Sequence, residues 1–192
     1  MKVLGIETSG LVGNLAVCDD NRVVARKSYG KNFSHGKEII SSLESLFNEA
    51  KWEPGDIDLI AVSTGPGSYT GLRVGVTCAK TLAYGLGKPV IDVPTLDVLV
   101  ENVEDNGAKT ICPVLDAKRK SVYACIYERS GNESRKSTDF LIISAGDLIE
   151  ILPESTLIFG DGIAPYRDIF TQKNLTIVED EKLCIADAAD VA

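Results

Sequence analysis

Apolar residues along the N-terminal stretch alternate or run in short blocks, and turn-forming residues cut the blocks apart. "KVLGIE" and "NLAVCD" read as two strands joined by a turn holding Gly10 and Gly13, and "RVVARKSY" reads as a third. The period then changes. In "SHGKEIISSLESLFNEAKW" the residues Ile39, Ile40, Leu43, Leu46, Phe47 and Ala50 recur at helical spacing, with Ser34 placed to cap the first turn and Pro54-Gly55 to end the segment. "DLIAVS" is a continuous apolar run, the kind buried on both faces of a parallel sheet. A glycine-rich loop leads from it into a helix predicted from about Thr70 to Leu86. A short strand, "KPVIDV", and a helix, "TLDVLVENV", capped by Thr95, complete this part.

Polar and turn-forming residues cluster in "DNGAKT", Asp105 to Thr110, which places a boundary between halves 1–106 and 107–192. The second half repeats the layout of the first. "TICPVLDAKRKSVYACIY" is strand, acid, turn, strand, as "VLGIETSGLVGNLAV" is, with Glu7 and Asp116 at matching points. "SAGDLIEIL" reads as a helix, and "STLIFGDG" runs a strand into Gly-x-Gly as "DLIAVSTGPG" does. The predicted fold class is α/β: two ribonuclease-H-like βββαβα halves with sheets facing each other across a cleft. That layout resembles the actin, sugar-kinase and heat-shock ATPase superfamily. The last residues, "EKLCIADAADVA", begin an amphipathic helix without a stop signal, so the natural chain is expected to run past Ala192.

The stretch "STGPGSYTGLRVGV" carries the candidate chemistry. It is neither the dinucleotide fingerprint, whose last glycine comes one place earlier, nor a Walker loop, since no Gly-Lys-Ser/Thr follows. Two readings stay open for Gly65, Gly67 and Ser68: a cradle for an anion at a helix N-terminus, or a turn whose amides Ser68 and Thr70 cap. In the helix behind the loop Gly71, Gly75 and Ala79 recur every fourth residue. A mid-helix glycine costs about 1 kcal/mol relative to alanine, so two on one face call for close approach of another backbone. Leu72, Val74, Val76, Leu82 and Ala83 make this helix apolar most of the way round. The sheet covers one side; the preceding helix or a second protein covers the other.

Composition narrows the function. The net charge is −8, with a pI near 4.7, so unaided binding to nucleic acid is not expected. The basic clusters, Lys118-Arg119-Lys120 and Arg26-Lys27, have no aromatic residues interleaved for stacking; any RNA would be held by a partner. Five scattered cysteines without a Cys-x-x-Cys pair are the usage of a reducing compartment. The N-terminus fails as a signal peptide, no apolar run reaches membrane-span length, and Asn132-Glu133-Ser134 is read as a chance glycosylation match, so a cytoplasmic protein with no membrane contact is expected.

The segment "GPGSYTGLRVGVTCAKTLAYGLGKPVIDVPTLDVL" resembles the signature of the bacterial TsaB (YeaZ) family, and "VLGIETSGLVGNLAV", "PVLDAKRKSVYACIY" and "IFGDGIAPYRD" extend the match over nearly the whole chain. The resemblance implies a subunit of the machinery that makes threonylcarbamoyladenosine in tRNA. It further implies pairing with the catalytic relative TsaD, or with a second copy, and contact with the small ATPase TsaE; tRNA is engaged only indirectly. Glu7 is closer to TsaD, since TsaB proteins more often carry Asp there. TsaD binds a metal through an H-x-x-x-H pair, whereas this chain has one histidine, His35, so no metal site and no catalytic residues are expected.

The resemblance places the pairing surface on the two helices, here His35, Ile39, Leu43, Leu46, Tyr69, Thr70, Gly71, Leu72, Arg73, Val74 and Gly75. Gly36 and Lys37 depart from the family's usual small or polar residue followed by Glu or Gln. The alternative is a nucleotide-binding ATPase or kinase-like enzyme of the same superfamily, using Glu7, Thr8, Ser9, Gly65, Gly67, Ser68 and Asp116 as its anion site. Bulky Lys118 and Arg119 after Asp116 argue against metal-assisted phosphoryl transfer, while weak binding of ATP or ADP stays open. No cofactor is expected beyond that.

Overall fold

The computed structural model describes residues 1–30, 35–104, 107–131 and 133–192. Its residues group into two compact units, Met1–Val98 with Ala186–Ala192, and Leu99–Ile185. This differs from the 106/107 division, because the first unit stops at Val98 and the last residues return to it. Asp105 and Asn106, where the sequence sets that division, lie outside the described residues, as do Ser34 and Asn132.

The first unit contains β1 (Lys2–Glu7), β2 (Gly13–Asp19), β3 (Arg22–Tyr29), α1 (His35–Ala50), β4 (Leu59–Gly65), α2 (Tyr69–Leu86) and β5 (Val90–Pro94). Its sheet runs β3-β2-β1-β4-β5, with β1, β2 and β3 antiparallel and β4 and β5 parallel additions. Period two sorts the side chains. Leu4 and Ile6 of β1, Leu15 and Val17 of β2, and Ile60 and Val62 of β4 form one core with Ile39, Leu43, Leu46 and Phe47 of α1. This corrects the sequence expectation for α1: Leu43 and Leu46 are buried by their own sheet and are not free to meet a partner, while Ile39, though mostly buried, also lines the gap towards α2. The helical stripe is genuine, but it is core.

The glycines of α2 have an equally local cause. A Cβ on Gly71 would collide with the Thr8 carbonyl oxygen, one on Gly75 with Thr8 Oγ1, and one on Gly67, just before the helix, with Ser9. The close approach inferred from the sequence therefore exists within this chain, between α2 and the residues that follow β1. Helix α3 (Thr95–Glu101) comes next, running across the division between units. Thr95 does not cap it, since its buried Oγ1 has no hydrogen-bond partner.

The second unit contains β6 (Thr110–Lys118), β7 (Ser121–Ala124), β8 (Tyr127–Ser130), β9 (Glu133–Lys136), β10 (Leu141–Ser144), α4 (Ala145–Ile151), β11 (Leu157–Phe159), α5 (Arg167–Phe170) and β12 (Thr176–Val178). Its main path is β10-β7-β6-β11-β12, the same third-second-first-fourth-fifth order as in the first unit. The duplicated ribonuclease-H-like architecture is thus seen in strand order. Strand β10 is the third strand of the repeat, delayed by an inserted β8–β9 hairpin that branches from β6. Cys112, Val114, Val122, Ala124 and Ile158 pack beneath Ala145, Leu148 and Leu152, and the Ser144 hydroxyl caps α4 by accepting from the Asp147 amide at 3.0 Å.

The end of the chain corrects a second expectation. Instead of one amphipathic helix, a 3-10 turn at Glu181–Cys184 precedes a short α6 (Ala188–Val191), which Asp187 caps. This segment packs against β1, where a Cβ on Gly5 would strike the Ala188 carbonyl. Arg26 pairs with Asp187 at 2.8 Å beside it. Among the described residues no helix is long and apolar enough to cross a membrane.

Two glycines of α2 allow a direct check of the packing argument. Gly75→Ala is expected to lower the unfolding free energy by about 1–3 kcal/mol, because the added methyl overpacks the contact with Thr8. Gly85→Ala adds its Cβ where no atom lies within 4 Å and should raise stability by about 0.5–1 kcal/mol through helix propensity alone. Urea unfolding of both variants measures the difference; equal shifts of the same sign would refute the close-packing account.

Candidate functional site

The residues expected to form an anion cradle do meet, but as packing. Ser68 donates its amide to the Ser9 carbonyl at 2.7 Å, and the Ser68 hydroxyl accepts from the Gly71 amide at 3.2 Å. Gly67 sits against Ser9, and Leu72 lies over Gly65, whose φ is +108°. Ser68 therefore caps the first turn of α2. Glu7, Thr8 and Ser9 are buried at its base. Glu7 is 1% exposed; one carboxyl oxygen accepts from the Ser9 amide, and Oε2 has no partner. Thr8 Oγ1 and Ser63 Oγ are likewise buried without partners. Register places Ser63 beside Glu7, one step beyond the Ile6–Val62 pair of β1 and β4. Burial is the main influence on Glu7 and raises its pKa, since a carboxylate away from water loses its hydration.

Asp116, the matching acid of the second unit, is committed differently. Its Oδ2 accepts from Lys118 Nζ at 2.6 Å and its Oδ1 from the Lys118 amide at 2.8 Å. The Asp116 amide donates to Asp161 at 2.9 Å, and Gly162 packs on the backbone of Leu115 and Asp116. The Lys118 hydrogen bond holds the Asp116 carboxyl below its ordinary pKa. Among the described residues no group of three or more His, Cys, Asp or Glu side chains could hold a metal ion.

The open feature of the first unit is a groove of about 560 Å³ between α1 and α2. Ile39, Val74 and Leu82 contribute apolar lining, Arg73, Thr70, Thr77 and Thr81 contribute polar atoms, and Gly36 and Cys78 complete it. Gly36 brings the start of α1 close to Val74. Ile40 stands at its edge, 59% exposed. Tyr69 is 75% exposed, with the Arg73 guanidinium 5.4 Å from its ring, and Tyr84 near the other end of α2 is 92% exposed. Burial pushes the Cys78 thiol up to about 11, which leaves it neutral and unreactive at physiological pH. Of the residues expected at a pairing surface, Thr70, Arg73 and Val74 line this groove and Tyr69 stands exposed at its end of α2. Leu72 belongs to the loop packing, and Gly71 and Gly75 face Thr8. His35 begins α1. The sequence reading missed Thr77, Thr81 and Tyr84; the Arg73, Thr77, Thr81 spacing of four was the signal for an outward stripe.

A family model described as "TsaD: tRNA N6-adenosine threonylcarbamoyltransferase" matches residues 31–171. The tRNA threonylcarbamoyladenosine biosynthesis protein TsaB of Bacillus subtilis is 32% identical over 80% of this chain and 67% of its own length. TsaB of Escherichia coli is 30% identical over 69% of this chain and 57% of its own. This chain belongs to the TsaB (YeaZ) family. It spans between half and two thirds of several of these relatives, 57% for the Escherichia coli protein. YeaZ from Pseudomonas aeruginosa superposes with a TM-score of 0.83 at 22% identity, covering all of this chain and 89% of that one, which establishes the shared fold. The outward α1–α2 face is the candidate functional surface of this TsaB-family chain.

The buried carboxyl of Glu7 gives a pH signature with a definite sign. Because its folded pKa is raised, the native state binds more protons than the unfolded chain above about pH 4.3, and this contribution to stability is lost as pH rises towards the folded value. The loss is at most about 1.4 kcal/mol per pH unit. Glu7→Gln should flatten the decline, read as urea midpoints between about pH 5 and pH 8. An unchanged pH dependence would mean that Glu7 is ionised in the native protein.

Proposed function

We propose that this chain is the non-catalytic subunit of a threonylcarbamoyl-transferring assembly. It pairs through the α1–α2 face with a TsaD-like catalytic subunit that modifies the adenosine beside the anticodon of tRNA. The observation that carries the reading is the groove: an apolar floor and a polar α2 stripe, with exposed Ile40 in its lining and exposed Tyr69 and Tyr84 elsewhere on α2. Exposed aromatic and arginine side chains beside a preformed apolar depression are what interface anchors need, because they contribute large contact area with few rotatable bonds. Family membership supports the choice of partner, since the named relatives are TsaB proteins of tRNA threonylcarbamoyladenosine biosynthesis.

In this reading the same face also serves a homodimer when the catalytic subunit is absent, and the pair then recruits a TsaE-like ATPase. The tRNA is held chiefly by the catalytic partner, as the acidic balance of this chain requires. The enzyme alternative loses support from the two acids: Glu7 is buried behind its own loop, and both oxygens of Asp116 are engaged by Lys118.

Paired substitutions separate surface from core. Ile40→Glu should change stability by no more than about 0.5 kcal/mol, as exposed substitutions do. It should weaken co-purification with the TsaD-like subunit by at least about tenfold. Leu43→Asp should instead unfold the chain, since it buries an unpaired charge. Pairing that survives Ile40→Glu would move the interface elsewhere. Steady ATP turnover by the purified chain alone, with Mg²⁺ supplied, would favour the enzyme reading.

A further inference from the structure

The turn between β6 and β7 carries Lys118, Arg119 and Lys120, the one run of three consecutive basic residues in a chain of net charge −8. All three are exposed, and all three hold positive φ angles of 63°, 52° and 67°. Non-glycine residues in the left-handed region each cost on the order of 1–2 kcal/mol, so a run of them persists only where the surroundings enforce it. The base of the turn supplies that enforcement: Asp116 grips Lys118 through both its amide and its ammonium, and Asp161 holds the Asp116 amide. Lys118 is thereby neutralised. Among the described residues, neither Arg119 nor Lys120 has an ion pair, although acids outnumber bases 28 to 20 in the chain.

We propose that the 118–120 turn is an RNA contact, in which Arg119 and Lys120 each take a backbone phosphate. This rests on the proposed role in a tRNA-modifying assembly and deepens it. Two cations suit phosphodiester oxygens, which the guanidinium meets with two parallel N–H donors and the ammonium as a point charge. They are too few to hold RNA against the acidic body of the chain, so the contact adds to binding that the catalytic partner supplies. An acidic protein surface is the competing occupant. It is the poorer fit in an assembly whose proposed substrate is itself a polyanion.

The test uses the complex of this chain with its TsaD-like subunit and an unmodified tRNA transcript, with affinity measured over a series of salt concentrations. Each phosphate contact contributes about 0.7–0.9 to the slope of log affinity against log salt. The double variant Arg119→Gln, Lys120→Gln should reduce that slope by about 1–2 and weaken binding several-fold near 0.1 M salt, while forming the complex as well as the wild type does. A complex that assembles normally and keeps the wild-type slope overturns the RNA contact and leaves the pairing proposal standing. Loss of assembly in the double variant, with the slope never in question, assigns the turn to a protein surface and also overturns it. If the wild-type chain forms no complex, the pairing proposal falls and takes this one with it.

Discussion

The close seat of α2 on the residues after β1 is the constraint from which the rest of this molecule follows. Gly67, Gly71 and Gly75 each face Thr8 or Ser9 at distances that leave no room for a side chain, and the Ser68–Ser9 hydrogen bond closes the contact. Backbone packed on backbone fixes the helix along its axis and about it. Once that face is committed inward, the face carrying Arg73, Thr77 and Thr81 must look outward, and Val74, Cys78 and Leu82 must fall towards α1. The groove is therefore a consequence of the glycines, although none of the three lines it.

The same seat occupies donors that an anion at the glycine loop would need. A phosphate cradle needs free amides around an open space, whereas here the Ser68 amide is given to Ser9 and the Gly71 amide to the Ser68 hydroxyl. Glu7 is sealed beneath, where burial favours its neutral form. Its unpartnered oxygen, and those of Thr8 and Ser63, are the energetic residue of an acid and hydroxyls kept in a place that packing has closed. These buried polar groups do not reach solvent.

Much of this was legible in the sequence, and the failures share a cause. Period-two alternation and the change to helical spacing located the strands of the first unit and helices α1, α2 and α4 to within a few residues, because each must bury one face. The repeat was readable from Glu7 and Asp116 and from two strands that end in glycine. Periodicity says that a face is covered but not by what. Hence Leu43, Leu46, Gly71 and Gly75 were expected against a partner and are instead covered by their own chain. The β8–β9 hairpin escaped because "YERS" and "ESRK" are short, polar strands with no buried stripe. The contact of Asp116 with Asp161 depends on how β6 and the residues after β11 come together, which local sequence does not encode.

The turn after Asp116 shows how one side chain can compensate an acid and set the course of a loop. Here the residue two places on is a lysine whose ammonium lies 2.6 Å from the carboxylate, so the cation that compensates the acid is built into the chain. The next two residues follow through a left-handed course that leaves Arg119 and Lys120 in solvent. Lys118 thus both compensates the acid and heads an outward basic turn.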